Sequence, residues 1–317
     1  MNLTVIVCTY NRCHTVTKSL DSIAMQVVPE GIEWNVLVVD NNSTDQTREV
    51  LEAYCLQNPR FSYVFEPQQG LSHARNAGIQ VAQGEILAFT DDDVTADPGW
   101  LWSLTSSLHA GPWSFAGGRI IPVWHGDLPD WLSEDDFATM GPFTGFDEGP
   151  EPKTLNRPTY GGNTAFRREI FRKYGGFRAD LGRSNNNLLG REDIEIANRL
   201  FSRGEKLRYE PNAVIRHPVE EYRMKKGYIL KWFYWDCRSE IADRGVLPTR
   251  WSIKGIRLSD FRRLVRWALQ WLISTNPRSR FFCQIQIWKV VGSVVACYHE
   301  SALRDRRTVA ARRISTE

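Results

Sequence analysis

With 317 residues, 42% of them apolar and 24% charged, the chain can form one large domain or a domain with an appendage around a real core. Its six cysteines form no C-x-x-C pair, which argues against structural zinc and for a reducing compartment. No uninterrupted apolar run of about 18 or more occurs, so a conventional spanning helix is not expected, and Met1-Asn2-Leu3-Thr4-Val5 enters a strand directly rather than a secretory signal. The net charge of +3 hides an asymmetry. Residues 1–224 carry 21 Lys+Arg against 30 Asp+Glu, a balance of −9, and residues 225–317 carry 19 against 7, a balance of +12. An acidic body with a basic tail points to an anionic surface as the tail's partner, either membrane or nucleic acid.

In chain order, residues 3–8 are a β-branched run and read as a buried strand, followed by the polar turn Thr9-Tyr10-Asn11-Arg12. Val16, Leu20, Ile23 and Val27 share one helical face and predict a helix over 16–26. Residues 34–40 are apolar along their length, which favours a parallel sheet covered on both sides. Asn41-Asn42-Ser43-Thr44-Asp45 is turn chemistry, with an N-cap on offer from Ser43 to Asp45. A helix over 46–57, a strand over 61–65, a helix over 71–81 and a strand over 86–89 follow. This alternation predicts α/β architecture, with βαβ units in a doubly wound sheet. Ligands of such sheets bind beyond the carboxyl ends of the strands, where the turns at Thr9, Asp40 and Asp91 fall. The first turn lacks G-x-G-x-x-G, which argues against NAD or FAD.

The fourth strand runs into Thr90-Asp91-Asp92-Asp93. Three successive carboxylates repel one another, and enclosure adds a desolvation cost. One reading is a hard cation, Mg2+ or Mn2+, held by the carboxylates and holding a diphosphate in turn. The other is a solvated acidic turn ahead of Pro98.

Four motifs come in order: Thr9-Tyr10-Asn11-Arg12, Val38-Val39-Asp40-Asn41-Asn42-Ser43-Thr44-Asp45, Ala74-Arg75-Asn76-Ala77-Gly78 and Thr90-Asp91-Asp92-Asp93. Gly161-Gly162-Asn163-Thr164-Ala165-Phe166, Gly175-Gly176-Phe177 and Gly190-Arg191-Glu192-Asp193 extend the series. Together they resemble the family 2 glycosyltransferases, which have the GT-A fold and use nucleotide-diphosphate sugars. The resemblance covers roughly residues 1–220. It implies that Thr9 and Asp40 contact the nucleoside, with Tyr10 and Arg12 in the same turn, and that Arg75 approaches the base or diphosphate. Asp91 and Asp93 match the outer positions of the family's D-x-D motif: Asp93 would ligate the metal, and Asp91 would contact the ribose or assist the metal. Asp92 occupies the variable middle position, where it adds charge. His217, after a strand over 207–209 and a loop at Pro211-Asn212, is a further metal ligand or else a surface histidine before a proline.

Sugar transfer needs a base for the attacking hydroxyl, on the opposite side of the ring from the leaving diphosphate. A single base with direct displacement inverts the anomeric carbon. Asp193, at the start of a helix predicted over 191–202, is the preferred base, with Glu192 orienting it or binding the acceptor; acidic residues there also serve as helix caps. Gly162 and Asn163 read as a sugar-proximal loop. Residues 122–160 are proline-rich and form a lid or an acceptor loop, in which Trp124 and Trp131 either stack on sugars or pack.

The expected organisation is a catalytic domain over 1–224, with a nucleotide half (1–95) and an acceptor half (96–224), and a basic helical extension over 225–317. Residues 261–273 suit a helix at a membrane interface, and residues 281–298 a shallow insertion or a buried helix; a helical pair packed on the catalytic domain is the alternative. The arginine-rich end, residues 302–317, reads as disordered. The partners expected are a nucleotide-diphosphate sugar, with UDP the usual nucleotide, a glycan or lipid-linked acceptor, and an anionic membrane touched peripherally from the cytoplasmic side. Nucleic acid is not expected. A nucleotidyltransferase or a non-enzymatic binder of anionic surfaces is the competing reading.

Overall fold

The computed structural model describes residues 2–129, 131–132, 141–184, 187–245, 252–253 and 256–314. The proline-rich segment therefore lies partly outside the described residues. The chain divides into two compact units, one of Met1–His125, Phe137–Asn185 and Glu192–Val219, the other of Gly126–Asp136, Asn186–Arg191 and Glu220–Glu317. The second unit is discontinuous: besides Glu220–Glu317 it takes in two short segments from within 96–224.

The first unit opens with β1 (Asn2–Thr9), α1 (Val16–Ala24), β2 (Glu33–Asp40), α2 (Thr47–Gln57), β3 (Phe61–Phe65), α3 (Leu71–Val81) and β4 (Ile86–Asp91). It continues with β5 (Thr95–Ala96), α4 (Trp100–Ala110), β6 (Phe115–Trp124), β7 (Lys153–Leu155), β8 (Asn163–Arg167), α5 (Arg168–Tyr174), α6 (Glu192–Phe201) and β9 (Leu207–Val219). Among the described residues these strands form one sheet in the order β3-β2-β1-β4-β8-β6-β9-β5, with β7 on β9. The first four strands are parallel, as their unbroken apolar runs imply. Beyond β4 the sheet is mixed, because β8 enters antiparallel between β4 and β6. Val5, Val7, Val36, Val38, Leu87 and Ala88 are fully enclosed at its centre. An aromatic cluster of Phe89, Phe115, Phe166, Phe171 and Phe177 fills the join between the parallel and mixed halves.

One expectation fails in an informative way. Pro211-Asn212 is not a loop between a strand and His217, because β9 runs through it. The register against β6 steps from Gly118–Glu210 to Arg119–Val214, so the intervening residues bulge out. Proline has no N–H to give a ladder, and a bulge is where a strand tolerates it.

The second unit holds α7 (Lys226–Arg244), a hairpin of β10 (Ser252–Ile253) and β11 (Ile256–Arg257), α8 (Leu258–Ile273) and α9 (Pro277–Ile314). α7 and α9 approach so closely that a Cβ at Gly292 would overlap the Tyr234 carbonyl. Trp131 packs edge-on against Phe281 at 4.7 Å, under the Lys226 ammonium, so it is a packing residue here. Trp124, in the first unit, packs likewise on Phe143 at 5.2 Å. Arg191 holds a left-handed φ of +74° and pairs with Asp236 and Asp243 of α7. Contrary to the sequence expectation, Pro277–Ser301 within α9 is long and apolar enough to cross a membrane, with mean hydropathy 1.3 over its best window, of which 39% is buried in this fold. Its Gln and Lys interruptions break the run without lowering the average below that of a span. The backbone stays helical to Ile314, where disorder was expected, in keeping with the helix propensity of Ala and Arg.

Candidate active site

β1 lies between β2 and β4, with Thr9 opposite Asp40 and Cys8 opposite Asp91. Three strand ends are thereby level, and their turns share one edge. The first two turns are laced together. The Asn11 N–H donates to Ser43 Oγ at 2.9 Å, and the Thr44 N–H donates to Asn11 Oδ1 at 2.8 Å. Asn11 and Asn42 hold left-handed φ of 52° and 62°, a conformation asparagine tolerates better than most. Asp45 accepts from the Cys13 and Thr47 N–H groups at 3.2 and 3.0 Å. Burial opposes its ionisation, but the bonds from Thr47 and Cys13 outweigh that and hold its carboxyl at about 2. A depressed value stabilises the fold above the unfolded value of about 4, and the contribution fades as pH falls through about 2. Asp45→Ala is expected to cost about 1 kcal/mol, as loss of a side chain's hydrogen bonds to backbone N–H groups does. In melting curves its deficit against wild type should shrink as pH drops from about 6 to about 3. A deficit that is the same at both ends would assign the loss to something other than the carboxylate.

The acidic turn is fastened from beneath, where the Ser19 hydroxyl donates to the Val94 carbonyl. Asp91, Asp93 and His217 each offer a ligand atom, and these atoms lie within 4.8 Å of one another. His217 is buried on β9, with Nε2 3.8 Å from Asp93 Oδ1. Asp92 is more than added charge: it is buried, accepts the Thr9 hydroxyl at 2.6 Å, and lies 3.7 Å from Arg12 Nε. Burial, and next the charge of Asp93, push its carboxyl up to about 7 against the pull of Arg12 and Thr9. So much crowded negative charge is what a cation would relieve, and two carboxylates with one imidazole suit Mg2+ or Mn2+. The residues present therefore fit a divalent ion.

A second constellation stands beside the first. The Arg75 guanidinium of α3 is buried over the Phe177 ring, donates to Glu192 Oε1 at 2.7 Å, and lies 3.9 Å from Asp91 Oδ1. Burial pulls its pKa down, yet Glu192 and Asp91 outweigh that and raise it. Glu192 is pushed above the ordinary glutamate range by burial and then by Asp193, against the pull of Arg75. Asp193 is only half-buried, and its Oδ2 accepts the Gly161 N–H at 2.8 Å. The two carboxylates that start α6 are thus sorted by exposure: Glu192 is sealed in an ion pair, and Asp193 is reachable.

Gly161 and Gly162 stand between the two constellations. A Cβ at Gly161 would come within 2.8 Å of Arg75 Nη2 and 3.0 Å of the Asp193 Cβ, and one at Gly162 would overlap the Asp91 carboxylate. A side chain at either position would push on Arg75, Asp193 or Asp91. Gly161 was legible in the motif, but its bond to Asp193 was not.

The structure gives several of the sequence-predicted residues partners within the fold. Asn163 does not face a sugar: it is fully buried, accepts the Trp100 indole N–H at 2.8 Å, and donates to the Arg119 and Ala213 carbonyls. Asp40 is fully buried and accepts from the Ser43 N–H at 3.0 Å and the Tyr63 hydroxyl at 3.3 Å, so it fastens its turn. Thr9 is buried with its hydroxyl given to Asp92. Arg75 pairs with Glu192 and lies near Asp91, and Glu192 is buried in that pair. Tyr10 stays exposed at the rim and Arg12 is half-buried beside it, with Arg12 Nη2 3.3 Å from Asp93.

The sequence profile described as Glycosyl transferase family 2 matches residues 4–175. The glucosyl-dolichyl phosphate glucuronosyltransferase of Haloferax volcanii is 28% identical over 265 residues, which cover 82% of this chain and 83% of the relative. The crystal structure of GalNAc-T7 with UDP, GalNAc and Mn2+ is similar with a TM-score of 0.56 at 18% identity, over 78% of this chain and 52% of that one. The mannosyltransferase PcManGT from Pyrobaculum calidifontis, in complex with GDP-Man and Mn2+, is similar with a TM-score of 0.53 at 20% identity, over 98% and 80%. At these identities the likeness to the solved structures is one of fold, the GT-A fold. Sequence profile, relative and fold agree: the chain belongs to glycosyl transferase family 2.

Proposed function

We propose that this chain moves a sugar, with inversion, from a nucleoside-diphosphate donor to a hydroxyl of a glycan or lipid-linked acceptor, with Asp193 as general base. The observation that carries this reading is the glycine pair: Gly161 bonds Asp193 and Gly162 abuts Asp91, so the base and the acidic turn stand one dipeptide apart. Asp91, Asp93 and His217 would hold a divalent cation, with Arg12 at the rim. When bound, that cation supplies Lewis-acid stabilisation of the charge gained by the departing diphosphate. The acceptor oxygen bonds to the anomeric carbon, the bond from that carbon to the diphosphate oxygen breaks, and the hydroxyl proton passes to Asp193. Among the described residues the neighbouring carboxylate, Glu192, is paired to Arg75 rather than free to form a covalent intermediate, and this supports single displacement. A lipid-linked acceptor draws support from the Haloferax volcanii relative, whose name carries a dolichyl phosphate, and a metal-bound nucleotide from the two solved structures.

The test is thermal unfolding with UDP, GDP and dTDP, each with and without Mn2+. One nucleotide should raise the melting point only when Mn2+ is present. At about 100 times its Kd the gain is roughly 2.7 kcal/mol, several degrees for a domain of this size. Asp93→Asn should remove the Mn2+-dependent part. An equal shift in chelator, or an undiminished one in the variant, would refute the cation's place in the site.

A further inference from the structure

α8 has one face against α9 and the other bare. Trp267 meets Phe282 edge-on at 5.7 Å, and Trp271 lies 4.9 Å from the Arg280 guanidinium. On the opposite side Phe261, Val265, Leu269 and Leu272 follow at helical spacing, joined by Leu258 and Ile273. All six are exposed, Leu272 by 67% and Ile273 by 79%. Phe261, Val265, Leu269 and Ile273 line a shallow groove of about 600 Å³, rimmed by Arg262, Arg266 and Gln270.

The charges say what covers this stripe. Between Arg257 and Ile273 there are four arginines and one acid, Asp260, which is spent on the Arg257 N–H and lies 3.9 Å from Arg263. A second copy docked on the stripe would bring arginines against arginines, which is repulsive. A bilayer surface with anionic headgroups offers acyl chains to the stripe and phosphates to its edge at once. We propose that α8 lies in the plane of an anionic membrane, its apolar stripe in the acyl boundary and Arg262 and Arg266 on lipid phosphates. This goes beyond the reading of the active site and does not depend on Asp193.

The experiment is co-sedimentation of the full chain with phosphatidylcholine vesicles, with or without about 30 mol % phosphatidylglycerol. Binding to the anionic vesicles should be about tenfold tighter or more, and should weaken in roughly 0.5 M salt. Val265→Glu with Leu269→Glu should lower it by about tenfold or more. Arg262→Glu with Arg266→Glu should abolish the preference for phosphatidylglycerol. Both pairs change exposed side chains, so melting points should match wild type, and Asp193→Asn should bind vesicles as wild type does. The proposal is overturned by wild type that ignores anionic vesicles, by stripe variants that bind undiminished, by RNA bound in place of vesicles, or by a dimer that the stripe variants split.

Discussion

Asp193→Asn is expected to lower kcat by a factor on the order of 10² to 10⁴, the range for loss of a general base, with little change in donor KM. Asparagine has the same shape and keeps one acceptor oxygen. Asp193 accepts two backbone N–H groups, from Gly161 and Ile194, both at 2.8 Å. The variant can satisfy one of them, and losing the other costs about 1 kcal/mol. Folding should therefore survive with a small drop in melting point while turnover collapses. The contrast is Glu192→Gln, which alters a buried ion pair and should register mainly in stability. A fall in kcat of less than about tenfold for Asp193→Asn would move the base elsewhere, since general-base catalysis seldom contributes so little.

What could be read from the sequence divides by physical cause. The parallel half of the sheet was legible because strands covered on both faces are mostly apolar, as residues 3–8 and 34–40 are. The acidic turn was legible as an ordered motif, and the strand ends set it level with the turns after β1 and β2. Side chains whose roles depend on partners distant in sequence were not. Asn163 is adjacent to a glycine pair that touches both constellations, yet Trp100 claims its carbonyl from 63 positions away. Asp40 looked available because its own turn is polar, but Tyr63 closes over it from the neighbouring strand. Asp92 looked idle because motif variability says nothing of burial. Pro211 looked like a loop, since a bulge shows only in the register of the paired strand. In the tail, periodicity placed an amphipathic helix at residues 261–273. Which face is bare depends on α9, whose Phe282 and Arg280 cover the tryptophans and leave the leucines exposed.

Arg75→Met is expected to destabilise the protein by about 3–5 kcal/mol, the range for breaking one side of a buried ion pair. The guanidinium is cationic at any working pH and favours the Glu192 carboxylate across 2.7 Å. Burial and the charge of Asp193 press the other way, so Glu192 already sits above the ordinary glutamate range. Without Arg75 it would be an unpaired buried charge or would be driven to its neutral acid, and Asp91 would lose a neighbouring cation as well. In denaturant titrations the midpoint should fall with the slope unchanged. Adding Glu192→Gln should recover much of the loss, because a neutral amide costs less to bury than a carboxylate, and the cycle should show coupling of roughly 1–3 kcal/mol. The same variant distinguishes two roles for the arginine. If Arg75 chiefly gripped the donor diphosphate, as the family resemblance implies, Arg75→Met would raise donor KM with little loss of stability, and Glu192→Gln would rescue nothing. If it chiefly ties Asp91 to the base-bearing helix, stability falls first, kcat falls with it as Asp193 loses its setting, and the second substitution restores folding but not turnover.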